Sequence, residues 1–239
     1  MADTAIEWAT KSWEVIRGCN QVSPGCARCW AKHLAEGRLR RFYPDGFGLV
    51  EPAPERLCEP MRWYKPQRVF VSSRSDFFHE AISDTWRDMC FATMRAAPQH
   101  TYLLLTKRAE KLAAYRPRYA DGTLAPWPAH VWAGVSVEYQ RWADVRIPLL
   151  LQSPAPVKWV SGEPMLGPID LRPWLADLNW VVIGDESGKG RRGAKLEWVR
   201  TLRDQCRAAD AAFYFKQWHE DGKKVSLPLL DGRQWTETP

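Results

Sequence analysis

The sequence has no long hydrophobic run and no glycine-rich motif placed to bind a dinucleotide. None of its apolar stretches approaches the roughly 18–20 residues that a membrane-spanning helix needs. No G-x-G-x-x-G directly follows a predicted strand, and no P-loop occurs, which argues against the common dinucleotide and P-loop sites. The segment from Met1 to Glu7 has no basic-then-apolar secretory pattern. We therefore expect a cytoplasmic protein that does not enter a membrane.

The composition is that of a folded, moderately basic protein with many tryptophans. Of the 239 residues, 45% are hydrophobic and 26% are charged, which excludes a disordered or fibrous chain. The 34 basic and 28 acidic residues give a net charge of +6, which is compatible with a polyanionic partner. The 14 tryptophans suit a core, an interface or stacking on a base. We expect a single domain that spans residues 1–239.

Three of the six cysteines lie close together, at Cys19, Cys26 and Cys29, in a C-x6-C-x2-C pattern. Three thiolates in one loop indicate a metal or cluster site. A [4Fe–4S] cluster held by three cysteines would leave one iron open to a small molecule. A zinc ion needs four ligands, and His33, four residues after Cys29, is available as the fourth. Three unligated thiols, or one disulfide with a spare thiol, are the remaining alternatives.

Short apolar runs alternate with helix-like segments, without an internal repeat. The runs predict strands at residues 7–16, 68–71, 102–105, 131–135, 158–160, 180–183 and 213–215. Helices are predicted at residues 31–41, 84–97, 107–115, 139–151 and 196–209, with Ser83 or Asp84 as an N-cap. The alternation predicts an α/β fold with a parallel sheet. Six or seven β/α units favour a full or partial (β/α) barrel, and a doubly wound open sheet is the alternative.

Polar residues follow almost every predicted strand, at the end where parallel sheets build their sites. These segments are residues 72–76, 106–108, 136–138, 161–164, 184–188 and 216–218. The cysteine loop follows the first predicted strand. A single Ser or Glu after a strand usually caps a helix or faces water. Because the pattern recurs after six strands, we expect a functional rim that holds three cysteines, several carboxylates and two lysines.

The residues of these segments resemble a known family. The matching stretches are Ile6-Glu7-Trp8, Gly18-Cys19, Val22-Ser23-Pro24-Gly25-Cys26 with Cys29, Ser75-Asp76-Phe77-Phe78-His79, Leu105-Thr106-Lys107-Arg108, Gly134-Val135-Ser136-Val137-Glu138, Glu163-Pro164-Met165-Leu166-Gly167-Pro168, Gly184-Asp185-Glu186-Ser187-Gly188 and Phe215-Lys216-Gln217-Trp218. Together they resemble a three-cysteine-motif family of unknown function that is common in phage and bacterial genomes. That family looks like a distant branch of the radical S-adenosylmethionine superfamily, which includes spore photoproduct lyase. The superfamily's common spacing is C-x3-C-x2-C, whereas the first gap here is six residues.

The resemblance implies a cofactor and a set of roles. Cys19, Cys26 and Cys29 would hold a [4Fe–4S] cluster, and S-adenosylmethionine would bind its open iron and yield a 5′-deoxyadenosyl radical after reduction by an electron donor. Trp30 would cover the adenine or shield the cluster. The expected acceptors for the rest of the cofactor are Ser72, Ser73, Asp76, Ser136 and Glu138. The residues expected to act on the substrate are Lys107, Arg108, Glu163, Glu186, Lys216 and Gln217.

The substrate expected from the basic charge, the aromatic content and the resemblance is a nucleic acid base or a nucleotide. Base repair and modification of a phage base fit equally well, and a base inside a duplex would have to be flipped out. Two basic groups are candidates for contacting phosphate: Arg38, Arg40 and Arg41, and Lys189, Arg191 and Arg192.

Two other function classes stay open at this point. One is a zinc-stabilised nucleic-acid-binding protein without catalytic activity, in which the three cysteines and His33 are structural. The other, weaker one is a small-molecule hydrolase, for which the rim lacks a Ser–His–Asp order or a His-rich metal set.

Overall fold

The computed structural model describes residues 4–188 and 190–239. The strands are β1 Lys11–Trp13, β2 Ile16–Arg17, β3 Glu51–Pro52, β4 Arg68–Val71, β5 Thr101–Thr106, β6 Val131–Ser136, β7 Lys158–Gly162, β8 Trp180–Gly184, β9 Ala212–Glu220, β10 Lys223–Ser226, β11 Leu229–Leu230 and β12 Arg233–Gln234. The helices are α1 Trp30–Glu36, α2 Asp84–Ala96, α3 Ala109–Ala114, α4 Gln140–Leu151 and α5 Leu196–Ala208. In the described ranges, no helix is long and apolar enough to cross a membrane.

Eight strands form one mixed sheet in the order β1-β4-β5-β6-β7-β8-β9-β10. Each neighbouring pair from β1 to β9 is parallel, and β10 pairs antiparallel with β9. The parallel strands follow chain order, as they do in a β/α barrel, but β1 and β10 stand at opposite edges. The sheet curls into a half barrel flanked by helices, which fits the partial form of the predicted (β/α) barrel and not the closed form.

The two faces of the sheet are covered differently. On one face, α2, α3, α4 and α5 contribute to the main hydrophobic core together with alternate strand residues such as Val71, Leu104 and Val160. The other face carries a smaller, aromatic-rich cluster in which Trp8 packs on the side chains of the strands. Its buried members are Trp8, Ala9, Phe70, Leu103, Trp159, Trp180, Val182 and Tyr214. Since the four helices pack into the core on one face only, the architecture differs from a doubly wound sheet.

Several predicted elements agree closely with the structure. β4 has the predicted bounds, and the ends of β5, β6, β7 and β8 lie within two residues of the predicted ones. Helix α2 begins after Ser83, whose Oγ accepts a hydrogen bond from the Trp86 amide at 3.2 Å, so the predicted N-cap is confirmed. Strands of continuous apolar residues are therefore predictable here, because a strand that is buried on both faces appears in the sequence as an uninterrupted hydrophobic run.

Other elements differ from the prediction. In place of the strand expected at residues 7–16, the structure has the short strands β1 and β2. The strand is interrupted at the buried Glu14, whose carboxylate accepts hydrogen bonds from Ser73 Oγ and the Arg74 amide. The helix expected at residues 31–41 ends at Glu36, before Gly37. The helix expected from residue 107 begins at Ala109, because residues 106–108 are held by side chains in the loop. The hairpin of β9 and β10 was not predicted.

Gly134 in β6 gives a test of how tightly the aromatic face is packed. A Cβ at this position would lie 2.5 Å from the ring of the fully buried Trp159. We expect Gly134→Ala to lower the free energy of unfolding by roughly 1–3 kcal/mol, because the buried indole has little room to shift. Urea unfolding monitored by tryptophan fluorescence measures the change. Gly48→Ala, where a Cβ meets no atom within 4 Å, is the matched control, and equal losses in both variants would contradict this packing.

Candidate functional site

A cavity of about 660 Å³ opens at the carboxyl ends of the parallel strands. Its wall combines these strand ends with the cysteine loop, which we define as residues 18–29. The strand ends contribute Glu14, Ser73, Asp76, Thr106, Lys107, Arg108, Ser136, Ser161, Glu163, Asp185, Glu186, Lys216 and Gln217. The polar segments identified in the sequence thus meet at one cavity, whose volume lies in the range of small-molecule sites.

All three cysteines of the expected ligand set line this cavity. Cys19 and Cys29 also pack against an apolar cluster formed by Ala31, Ala35, Tyr43 and Phe47. Arg108 Nη1 lies 3.9 Å from Cys19 Sγ. Burial and, to a smaller extent, the Asp76 carboxylate raise the pKa of the Cys19 thiol to about 12, against the opposing effect of Arg108. The loop therefore presents three thiols to one space, with a buried guanidinium beside the first.

The cysteines are all free thiols, which excludes the disulfide alternative raised by the sequence. Within residues 4–188 and 190–239, no three His, Cys, Asp or Glu side chains are gathered closely enough to hold a metal ion as they stand. His33, the expected fourth ligand of a zinc site, is exposed on α1 and does not line the cavity. The donor set at the cavity is thus three cysteines without the histidine.

Glu138 anchors the cysteine loop to the sheet. Its carboxylate is completely buried and accepts hydrogen bonds from Ser23 Oγ at 2.5 Å and from Arg146 Nη1 at 2.9 Å. A Cβ on Gly25 would lie 2.4 Å from Glu138 Oε1, so the loop backbone passes directly over this carboxylate. Lys107 Nζ lies 3.9 Å from the same oxygen. Glu138, expected to bind the cofactor, is thus placed beneath the loop, where it positions the cysteines.

Asp76 joins two strand ends beneath the cavity. Its carboxylate accepts hydrogen bonds from Thr106 Oγ1 at 2.6 Å, from Arg108 Nη1 at 3.0 Å, and from the amides of Phe78 and Lys107. Arg108 continues the network through its Nε to Glu80 at 2.8 Å and through Nη2 to the Asn20 side chain in the cysteine loop. With four donors, Asp76 orients Arg108 and the loop and has little capacity left for a bound ligand.

The segment after β8 folds back over the cysteine loop. Arg192 binds both oxygens of the buried Glu186 carboxylate, and its Nη1 donates to the Pro24 carbonyl at 3.0 Å. Arg191 Nη1 lies 3.7 Å from Asp185, which also pairs with His219 Nδ1 at 3.0 Å. The expected basic group at this segment is therefore largely engaged in ion pairs, and its third member, Lys189, lies outside the described residues.

The same segment spells G-x-G-x-x-G over residues 188–193, away from the strand end that a dinucleotide site requires. Three residues separate Gly184 from Gly188, and α5 begins only at Leu196. A dinucleotide loop has its glycines directly between strand and helix, so that the phosphates meet the helix N-terminus. Instead, this segment covers the cysteine loop, and Arg192 holds it there through its hydrogen bond to the Pro24 carbonyl.

The Glu186–Arg192 pair predicts a dependence of stability on pH. Burial opposes ionisation of Glu186, but hydrogen bonds from the Arg192 side chain and amide outweigh it and lower its pKa from the ordinary 4.5. A lowered pKa in the folded state stabilises the protein above about pH 4.5, and this contribution is lost as the pH falls through the lowered value. We expect Glu186→Gln to be less stable than the wild type at neutral pH, and the difference to shrink below pH 4.5.

Urea titrations at a series of pH values measure this difference. A gap between Glu186→Gln and the wild type that stays constant into the acid range would contradict the lowered pKa. Asp231→Asn serves as a comparison, because Arg203 and Arg200 also lower the pKa of that carboxyl, but on the exposed surface beside α5 and away from the cysteine loop.

The end of the cavity formed by Trp8, Glu163, Lys216 and Gln217 is called the Lys216 end below. Lys216 Nζ lies 2.8 Å from Glu163 Oε1. Glu163 Oε2 accepts hydrogen bonds from Trp8 Nε1 at 3.4 Å and from Ser161 Oγ at 3.1 Å. Two of the residues expected to act on the substrate, Glu163 and Lys216, therefore form a tethered ion pair in the cavity wall.

The remaining expected site residues are distributed as follows. Trp30 lines the cavity and is 40% exposed, which leaves part of its ring free to cover a ligand. Ser73 lines the cavity and donates to Glu14, whereas Ser72 is buried in a left-handed conformation outside the cavity wall. Ser136 is buried in the wall. Of the basic residues on the segment after α1, Arg38 lines the cavity, and Arg41 lies over the ring of Phe42.

Sequence reasoning missed several residues that build the site. Arg146, on α4, pairs with Glu138, and Glu14 holds the segment after β4. Trp8 tethers Glu163, and Ser23 ties the cysteine loop to Glu138. Buried charged residues on otherwise apolar faces were the available signal, because such charges need partners. The identity of each partner depends on the tertiary fold.

Comparison with known proteins gives a family but no activity. The family described as "Protein of unknown function (DUF5131)" matches residues 3–239. No match was found among curated proteins or among solved structures. The match covers nearly the whole chain, so the chain belongs to this family, whose description assigns no reaction.

Proposed function

We propose that this chain, which belongs to the DUF5131 family of proteins of unknown function, is a radical S-adenosylmethionine enzyme that acts on a nucleic acid base or a nucleotide. One observation carries the proposal: the three cysteines of the C-x6-C-x2-C pattern line the same cavity as the polar ends of the parallel strands. In parallel β/α folds that end of the sheet is where catalytic sites are built.

The residues at the cysteine loop suit a [4Fe–4S] cluster by their chemistry. The donor set is three thiols without the exposed His33, which matches a cluster with one iron not held by the protein better than a four-ligand zinc site. Arg108, 3.9 Å from Cys19, supplies a positive charge that favours thiolate ligands. The thiol side chains would have to converge on the cluster, because they are not gathered as a metal site beforehand.

When bound, the cluster would supply the electron that cleaves S-adenosylmethionine and so starts hydrogen abstraction from the substrate. The protein's own residues hold the loop and shape the cavity. Glu138 and Arg192 fasten the cysteine loop from below and from the side, through Ser23 Oγ and the Pro24 carbonyl. Trp30 follows Cys29 directly and offers an exposed ring face to an adenine. Asp76 positions Arg108 and does not need to bind the cofactor itself.

The charges of the cavity favour an anionic substrate. Its carboxylates are largely buried, and each is paired with a basic residue: Glu14 with Arg74, Asp76 with Arg108, Glu163 with Lys216, Asp185 with Arg191, and Glu186 with Arg192. Three basic side chains in the wall reach solvent. Arg38 is exposed, and the side chains of Arg28 and Lys224, which pair with the buried side chains of Glu186 and Glu7, are 45% and 39% exposed. The accessible charge is therefore predominantly positive, which supports binding of phosphate groups.

An anaerobic cleavage assay tests the proposed function. We expect reconstituted, reduced protein to convert S-adenosylmethionine to 5′-deoxyadenosine or a product that contains it. Failure of the reconstituted protein to cleave S-adenosylmethionine under reducing, oxygen-free conditions would contradict the proposal. The zinc-stabilised binding protein is the alternative outcome, in which the protein takes up zinc and binds nucleic acid without consuming S-adenosylmethionine.

The nucleic acid part of the proposal has its own measurement. We expect binding of single-stranded DNA that weakens as salt rises, since phosphate contacts release counterions. Duplex DNA is expected to bind less tightly, because a base must leave the stack before it reaches the cavity. Absence of binding at low salt would direct the search to free nucleotides and other small anions.

A further inference from the structure

An irregularity in β9 brings two consecutive side chains to the same cavity. Ile183 in β8 pairs with Phe215, but the next residue, Gly184, pairs with Gln217, so Lys216 is an extra residue in the register. Neighbouring residues of a regular strand point to opposite faces of the sheet. A bulge re-aims side chains, and here both Lys216 and Gln217 line the cavity.

Lys216 is held by a carboxylate that is itself tethered. Glu163 pairs with Lys216 through one oxygen and accepts from Trp8 and Ser161 through the other. A side chain at Gly184 would collide with this pair, because a Cβ there would lie 2.9 Å from Glu163 Oε1. An ammonium has three N–H donors, and contact with a single carboxylate oxygen occupies at most one of them. Lys216, with 13% of its side chain exposed, therefore retains donors for a ligand.

Gln217 offers a hydrogen-bond acceptor, whereas Lys216 offers donors. Its Nε2 donates to the Asp185 carbonyl and to Ser187 Oγ, both at 2.7 Å. Because a carbonyl can only accept, the side-chain amide is fixed in this orientation. Its Oε1 is buried and lacks a hydrogen-bond partner among the described residues. Buried acceptors in proteins are normally hydrogen-bonded, so this oxygen in the cavity wall is open to a donor from a bound molecule.

We propose that the Lys216 end is a recognition subsite for a lactam edge, the –NH–C(=O)– group of thymine, uracil or guanine. Lys216 donates to the exocyclic carbonyl oxygen, which is the atom that lysine contacts on guanine in nucleic acid complexes. Gln217 Oε1 accepts from the adjacent ring N–H. The subsite rests on the proposed function for the view that a base is the substrate, but binding of the base requires no cluster.

Binding of nucleosides by calorimetry tests the subsite in the full-length protein. We expect thymidine to bind at least about tenfold more tightly than N3-methylthymidine, in which the ring N–H is blocked. Gln217→Met removes the acceptor at similar volume and is expected to abolish this preference, whereas Lys216→Met is expected to weaken binding of both ligands, because both keep the carbonyl oxygen. Gln152→Met, on an exposed glutamine beyond the end of α4, is the matched control and should keep it.

Three results would overturn the subsite: equal binding of thymidine and N3-methylthymidine, adenosine and cytidine binding as tightly as thymidine, or an unchanged preference in Gln217→Met. The comparison of methylated and unmethylated ligands uses the wild-type protein, so it does not depend on folding of a variant. Cleavage of S-adenosylmethionine without lactam preference would reject only the subsite. Lactam preference without cluster assembly would reject only the proposed function.

Discussion

Cys26→Ala is expected to abolish iron binding and S-adenosylmethionine cleavage in anaerobically reconstituted protein. Cys26 is the middle cysteine of the loop and shares the cavity with Cys19 and Cys29. Two thiolates cannot retain a cluster that already has one iron without a protein ligand. We expect the iron content to fall below about one per chain, and cleavage to fall to background. Iron analysis and product chromatography on the same samples measure both effects.

Cys58→Ala is the control for this substitution. Cys58 is an exposed free thiol that does not line the cavity, so its loss should leave iron uptake and cleavage unchanged. Circular dichroism of both variants establishes that the fold is retained. If Cys26→Ala bound as much iron as Cys58→Ala, the assignment of the cysteine loop as the cluster site would be wrong.

Glu138→Ala is expected to cause the largest loss of stability among the site substitutions. Its carboxylate is fully buried and pairs with Arg146, whose side chain is also buried. Removing one partner of such a pair leaves an uncompensated charge in the interior, which costs about 3–5 kcal/mol. The cysteine loop also loses its hydrogen bond from Ser23. We therefore expect both a lower free energy of unfolding and reduced iron retention.

Urea unfolding and iron analysis of Glu138→Ala measure these effects. Glu197→Ala is the matched control, because Glu197 is exposed and makes only a loose ion pair with Lys195; it should change stability by less than about 0.5 kcal/mol. A loss of stability in Glu138→Ala no larger than in Glu197→Ala would show that the buried pair does not hold the cysteine loop.

The parts of the fold that could be predicted are those whose residues are buried on both faces. β4 and β8 are continuous apolar runs, and their predicted bounds are the observed ones or within one residue. β9 continues five residues beyond its predicted end. The sequence predicts no strand there because Lys216, Gln217 and His219 are polar, and they serve the cavity and the Asp185 network. Their hydrophobicity pattern gives no strand signal, although the backbone remains in the sheet.

The candidate site was predictable only as a collection of strand ends. Parallel topology brings those ends together, so the cysteines and the polar segments could be expected at one rim. The contacts that assign roles connect residues far apart in the sequence, such as Ser23 with Glu138 and Trp8 with Glu163. The bulge at Lys216 depends on the register between β8 and β9, which only the folded sheet defines. That Glu138 and Asp76 also anchor the cysteine loop and Arg108 follows only from these contacts, and their expected role in binding the cofactor stays a prediction.

The most direct test is quantification of iron, sulfide and zinc in the wild-type protein after anaerobic reconstitution. We expect about four irons and four sulfides per chain, with little zinc, because three cysteines facing an open cavity suit a [4Fe–4S] cluster. Uptake of one zinc per chain with no retained iron would contradict it and would leave a basic half barrel whose three cysteines serve another purpose.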